Sequence, residues 1–366
     1  MSAPIPPDTF SPDTFSPDTV PPAAVSPDHI LETRGTSRHL DAFVVAASFD
    51  RSGQAAAFAL GDGSVRIAGI DGADWNNVPA HDGGVLALTR DAAATGWISG
   101  GDDGKFLRIG ANGSITPLAS FGSRWAEQVA SRVDGKTGVL ACASGKRVHL
   151  FSAAGEPLKV LEHDSTVSGL TFDARGKRIA TSHYGGASVW FVASKSDNPR
   201  RLDWKGSHIG IVMSPDGDSV VTAMQENSLH GWRLSDGQHM RMSGYPAKTA
   251  GLSFTRSGKY LATSGAESVV LWPFFGGGPM GKAPTELAGG DGVICTMVAC
   301  HPQHEAVAAG FSDGLLVMAD IATSRILPIA GTGRGAISAL SWSPDGVHLA
   351  FGTESGFAAV VDFSRK

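Results

Sequence analysis

The sequence predicts an all-β fold: a single closed β-propeller of eight four-stranded blades, with seven blades as the alternative. Three observations predict it. Turn glycines recur with a period of about 41 residues, the segments between them read as short alternating strands without helical spacing, and 42% hydrophobic residues with only 18% charged can bury a large core.

The period is set by Gly53, Gly135, Gly176, Gly217 and Gly258, at intervals of 82, 41, 41 and 41 residues, the first being two periods; Gly346 follows after 88. Each unit repeats one order of parts. A first strand alternates, as in Leu170-Thr171-Phe172, Leu252-Ser253-Phe254 and Leu340-Ser341-Trp342, placing two large residues on one face. A tight turn follows, clearest in Ser214-Pro215-Asp216-Gly217 and Ser343-Pro344-Asp345-Gly346. Pro presets the first turn angle, Asp bonds the local backbone, and Gly accepts the left-handed conformation. The second strand is small and apolar, as in Val220-Val221-Thr222-Ala223; polar turns such as Asp102-Asp103-Gly104 and Ser312-Asp313-Gly314 lead to a third strand. Trp190, Trp232 and Trp272 end third strands 42 and 40 residues apart, so they hold equivalent places. First strands start near Phe43, Val85, Glu127, Val167, Ile209, Gly251, Val293 and Ile337, which gives eight units. The third and seventh match the turn pattern loosely, hence the alternative of seven.

Residues 1–28 read as a separate disordered arm and 29–366 as the propeller. The arm stutters through Pro-Asp-Thr-Phe, Ser-Pro-Asp-Thr-Phe and Ser-Pro-Asp-Thr-Val. Its prolines remove backbone donors and bias their predecessors away from helix, so an extended, solvated segment is expected. Phe10, Phe15 and Val20 are its apolar handles, set either in an inert linker or against a partner groove. The last unit lacks an outer strand, and the short run His29-Ile30-Leu31-Glu32-Thr33 is expected to supply it, closing the ring and removing an open sheet edge.

A net charge of −5 with interspersed Lys and Arg argues against nucleic acid as a partner. No apolar stretch is long enough to span a bilayer, and the first residues lack a signal-like pattern, so a cytoplasmic, monomeric protein without membrane contact is expected. Cys142, Cys295 and Cys300 are an odd number set in apolar runs and read as buried free thiols.

With these turns and tryptophans in place, the chain from about Leu31 resembles the WD-repeat family. His81, His163 and His208 precede first strands where that family carries Gly-His. The chain departs from the pattern at Trp190-Phe191, Trp232-Arg233 and Trp272-Pro273, where Asp does not follow Trp. The family's buried His, Ser, Asp and Trp bonds are accordingly incomplete: unit two offers His81, Ser99 and Asp102 or Asp103, but Ile109 stands where Trp would be. His81, His163, His208, Trp190, Trp232, Trp272, Asp102 and Asp313 are thus expected to be structural.

No catalytic residue, metal or cofactor is expected. The repeat carries the three histidines to separate blades, and His301 and His304, near Cys295 and Cys300, lack the paired spacing of a zinc site. Gly276-Gly277-Gly278-Pro279 has neither a phosphate-loop nor a dinucleotide pattern. The quinone-dependent propeller enzymes have a tryptophan-docking motif that is not visible. The function expected is a non-catalytic scaffold for a protein or peptide. In the WD-repeat family the loops before first strands and between second and third strands share one face, which here would carry Arg38, Arg124, Trp125, Tyr184, Tyr245 and Arg334. The alternative is a propeller enzyme or small-molecule sensor using the central channel, which would need carboxylates or histidines on first strands that carry Val, Leu, Ala, Ser and Gly instead.

Overall fold

A computed structural model describes residues 26–72, 75–134, 137–196 and 198–364. Most of the 1–28 arm, up to position 25, and the turn at Gly135 lie outside the described residues. Among the described residues the fold is all-β apart from one six-residue helix.

The first unit shows the pattern. Val44–Phe49, Ala55–Leu60, Ser64–Gly69 and Trp75–Pro79 form one antiparallel sheet in chain order. The turns work as their residues require: Gly53, Gly176, Gly217, Gly258 and Gly346 all have φ between 66° and 74°, the left-handed region that glycine enters without strain. In the last of these turns Ser343 Oγ donates to Asp345 at 2.5 Å and accepts the His348 amide at 2.9 Å.

Among the described residues there are seven sheets, six of four strands and one of six. Counted as sheets, the ring therefore has seven, the alternative in the sequence reading. The repeat units remain eight, because units four and five share the six-stranded sheet. Two strands of 14 residues, Arg178–Phe191 and Arg200–Met213, run through it, and Tyr184 pairs with Ser207 across the rim, joining the hairpin of one unit to the start of the next. Eight apolar clusters each lie between two successive units, the last joining Ala339, Ala350 and Ala358 to Val44, Phe49 and Phe58. The core is thus a closed series of inter-unit layers. Polar bonds run the same way: Trp97 Nε1 donates to the Ser48 carbonyl at 2.8 Å, and Arg178 to that of Gly217 at 2.8 Å.

Closure differs from the expectation in one respect. His29–Arg34 is a helix, and the strand that completes the last blade is Gly35–His39, antiparallel to Phe357–Asp362 with Gly35 opposite Val361 and His39 opposite Phe357. A short apolar run cannot be assigned to helix or strand by periodicity. Here one turn of helix puts Leu31 into the cluster with Ile329, Ala330 and Val361. At Gly35 an added Cβ would lie 2.5 Å from the Leu31 carbonyl oxygen, so the helix stops where only glycine fits. Asp28 fixes the segment from the other side: its carboxylate accepts the Gly331 amide at 2.7 Å and both Nη groups of Arg334 at 2.9 and 3.0 Å.

Candidate partner-binding rim

Antiparallel order divides the loops between the two ends of the ring. Hairpins between first and second strands emerge at one end. Hairpins between second and third strands, and the connections into the next unit, emerge at the other. This second end is the rim.

Trp125 and Tyr184 project from the rim, 55% and 71% exposed, and Phe43, read in the sequence as a strand start and not as a residue of this face, is 44% exposed. Their backbones are pinned. Around Trp125, Phe121 donates to the Gly104 carbonyl, Ala126 to Gly101 and Glu127 to Ala143, all at 2.9–3.0 Å, and the adjoining Ala126 is fully buried. Tyr184 is held by its pairing with Ser207 and by His183 Nδ1, 3.0 Å from its carbonyl. The Phe43 carbonyl accepts the Gly61 amide at 2.9 Å. Arg124 is exposed beside Trp125, and Arg38 is exposed near the end of the closing strand, with an Nη 2.8 Å from the Ser37 carbonyl.

Two of the residues expected on this face serve the fold instead. Arg334 is committed to Asp28 and lies 5.2 Å over the Phe357 ring. Tyr245 is 8% exposed; its hydroxyl lies 2.7 Å from Thr263 Oγ1 and accepts the Trp272 indole N–H at 2.6 Å. Burial pushes the Tyr245 hydroxyl up to about 12, against the opposing hydrogen bonds. Tyr245 takes the place of a repeat histidine. His81 meets Ser99, His163 meets Thr181 and Tyr245 meets Thr263, each across an interval of 18 residues. That common spacing is the signal that identifies Tyr245 as structural.

His208 reaches the corresponding threonine from a place four residues later in its unit than His163 does, 14 residues before Thr222 rather than 18. His163 Nε2 lies 2.9 Å from Thr181 and its ring is edge-on to Trp190 at 5.5 Å; His208 Nδ1 lies 2.7 Å from Thr222 and its ring 5.7 Å from Trp232. Each threonine donates onward to a third-strand carbonyl, as Thr222 does to His230 at 3.0 Å. Among the described residues the indole nitrogens of Trp190 and Trp232 have no partner, whereas that of Trp272 has Tyr245. Burial lowers His163 to about 4. In unit two the acidic partner of His81 is Asp103, at 2.9 Å, and not Asp102. Burial by itself would raise the Asp103 carboxyl, but bonds from His81, the Lys105 amide and the Asp82 amide outweigh it and hold it below its ordinary range. Asp313 does turn work, accepting the Leu315 amide at 3.0 Å.

Among the described residues no group of three or more His, Cys, Asp or Glu side chains is arranged to hold a metal. His301 shows why that cluster fails as a site: its Nδ1 accepts the Gln303 and His304 amides at 3.0 Å and its Nε2 meets the Gly346 carbonyl at 2.9 Å, so both nitrogens are engaged. No described helix is long and apolar enough to cross a membrane.

The ring of inter-unit cores, the left-handed turn glycines and the histidine–hydroxyl contacts define a β-propeller whose repeat resembles that of WD-repeat proteins. No protein-family model matches the chain. Over 185 residues it is 25% identical to the WD repeat-containing protein slp1 of Schizosaccharomyces pombe, a match that spans 48% of this chain and 38% of that protein. The crystal structure of the computationally designed Ika8 protein superposes with a TM-score of 0.69 at 17% identity, covering 89% of this chain and 98% of that one, and shows the fold alone.

Proposed function

We propose that this chain is a non-catalytic interaction scaffold that takes a protein or peptide partner on the rim bearing Phe43, Arg124, Trp125 and Tyr184, with Arg38 beside them. One observation carries the reading: large aromatic side chains stand exposed on loops whose backbones are hydrogen-bonded to the ring. An aromatic anchor on a pre-organised loop loses little conformational entropy on binding and supplies much contact area. Likeness to a WD-repeat protein is in keeping with this use of the face. The same proposal places the protein in the cytoplasm as a monomer, without nucleic-acid or membrane partners. It keeps residues 1–28 as an arm and 29–366 as the propeller, with Asp28 the arm residue tied to the ring through Gly331 and Arg334.

The test is affinity capture from native lysate with quantitative mass spectrometry, comparing the wild type with Arg124→Ala, Trp125→Ala and Tyr184→Ala combined. The expected result is loss of the main partner with an unchanged melting temperature, because exposed rim residues carry binding rather than folding. Undiminished capture by the folded triple variant would refute this choice of face.

A further inference from the structure

Unit five breaks the repeat at the histidine place. His81, His163 and Tyr245 each stand 18 residues before the hydroxyl they meet, and the residue 18 before Thr222 is Trp204. His208, further along the chain, supplies the ring that Thr222 takes, its Nδ1 2.7 Å away. Relieved of that role, Trp204 lies flat on His230 of the third strand, with ring centroids 3.9 Å apart and planes 14° apart.

This stack walls a cavity of about 340 Å³, to which the rim connection adds Lys205 and Gly206, the next hairpin Glu226 and the outer strand Arg241. His230 is 1% exposed. Its Nε2 lies 2.9 Å from His239 Nδ1, whereas its own Nδ1 is buried without a partner among the described residues. Burial first, then the charges of His239, His208 and Arg241, lower His230 to about 3, so the ring is neutral at pH 7 and holds one N–H. When the His239 Nδ1–H donates to His230 Nε2, that proton sits on His230 Nδ1, a donor with nothing to receive it. Lys205 and Arg241 line the same cavity, and among the described residues neither side chain makes a hydrogen bond or an ion pair. Glu226 makes none either. Its carboxylate folds over Gly206, where an added Cβ would stand 3.0 and 3.1 Å from its oxygens. Three unengaged donor groups and one unengaged carboxylate thus border one small space.

We propose that this cavity takes a free amino acid, its carboxylate against Arg241, Lys205 and the His230 Nδ1–H and its ammonium against Glu226. The guanidinium fork matches a carboxylate in shape and charge. An acid without an amine would leave Glu226 unanswered, and an amine without an acid would leave the three donors so. Ligand pockets run from about 300 to 1,000 Å³, and a volume near the lower end suits a molecule of amino-acid size rather than a nucleotide. The site adjoins the rim, since Tyr184 pairs with Ser207 next to Gly206, but it does not rest on partner binding there.

Thermal melts of the wild type in millimolar amounts of each proteinogenic L-amino acid, with isothermal titration of those that respond, test it. At least one amino acid raises the melting temperature and titrates. Its N-acetyl form, which has no ammonium, and its amide, which has no carboxylate, bind about tenfold more weakly or worse. Arg241→Gln and Glu226→Gln, both at exposed positions, melt like the wild type without ligand and bind the amino acid about tenfold more weakly or worse. Lys248→Gln, on the next rim connection, keeps the full affinity. No response to any amino acid, equal binding of the N-acetyl or amide form, or undiminished titration by Arg241→Gln or Glu226→Gln would overturn the proposal.

Discussion

Tyr245→Phe removes one oxygen from the interior and leaves the ring in place. In the wild type that oxygen accepts from the Trp272 indole and meets Thr263 Oγ1, both bonds buried. Thr263 keeps a second acceptor, the Val270 carbonyl at 3.2 Å, so the group left unpaired is the Trp272 N–H. A buried donor stripped of its partner costs about 1–3 kcal/mol. With an unfolding entropy of roughly 2.1 cal/mol/K per residue, a ring of about 330 residues has about 0.7 kcal/mol/K, so the melting temperature should fall by about 1.5–4 °C. Tyr245→His tests the repeat logic further: a histidine there can reach Thr263 as His163 reaches Thr181, leaving only the indole unpaired, as Trp190 already is. Scanning calorimetry of the three proteins should place Tyr245→His at or above Tyr245→Phe, with partner capture unchanged in both. A Tyr245→Phe variant that melts like the wild type but loses its partner would show that the hydroxyl belongs to a binding surface and would refute the structural assignment.

Three other outcomes follow from the same structure. Deleting residues 1–25 should leave the melt and the size-exclusion profile unchanged, whereas deleting 1–39 removes the Gly35–His39 strand, exposes the Phe357–Asp362 edge and should give a lower melt and an aggregating sample. Folding should weaken as pH falls from about 6.5 towards 4: burial lowers His163 to about 4 in the folded chain, so the unfolded chain binds that proton first, and the stability present above 6.5 is lost across this window; pH-dependent melts of His163→Gln should show a shallower fall. Burial pushes the thiols of Cys295 and Cys300 up to about 12 and that of Cys142 higher still, so a thiol reagent at pH 8 should leave all three unmodified until denaturant is added.

The fold was legible because its signals are local: a turn glycine needs its left-handed angle whatever surrounds it, and the 41-residue period repeats that need. The count of sheets was not, because whether Tyr184 pairs with Ser207 depends on how two units meet at the rim. The closing element was misplaced by a few residues, since Leu31 can bury itself from either a strand or a turn of helix and only Ile329 and its neighbours decide. At the rim, Trp125 and Tyr184 stand as exposed as their loop positions suggest. Tyr245 and Arg334 looked the same in sequence, but partners 18 and 306 residues away draw them inward. Residue type and loop position alone do not say whether an aromatic or an arginine faces the solvent.

The strand that closes the ring has a consequence for how the protein is made. Gly35–His39 leaves the ribosome before its partner Phe357–Asp362, which is synthesised about 320 residues later, a delay of roughly 15–60 s at 5–20 residues per second. Throughout that interval the Gly35–His39 segment has nothing to pair with, and the first and the newest units each still lack a neighbour on one side. Cooperative closure must therefore wait until Phe357–Asp362 has been made. The short helix at His29–Arg34 and the Asp28–Arg334 pair then act as a late clasp, formed only when first and last units meet.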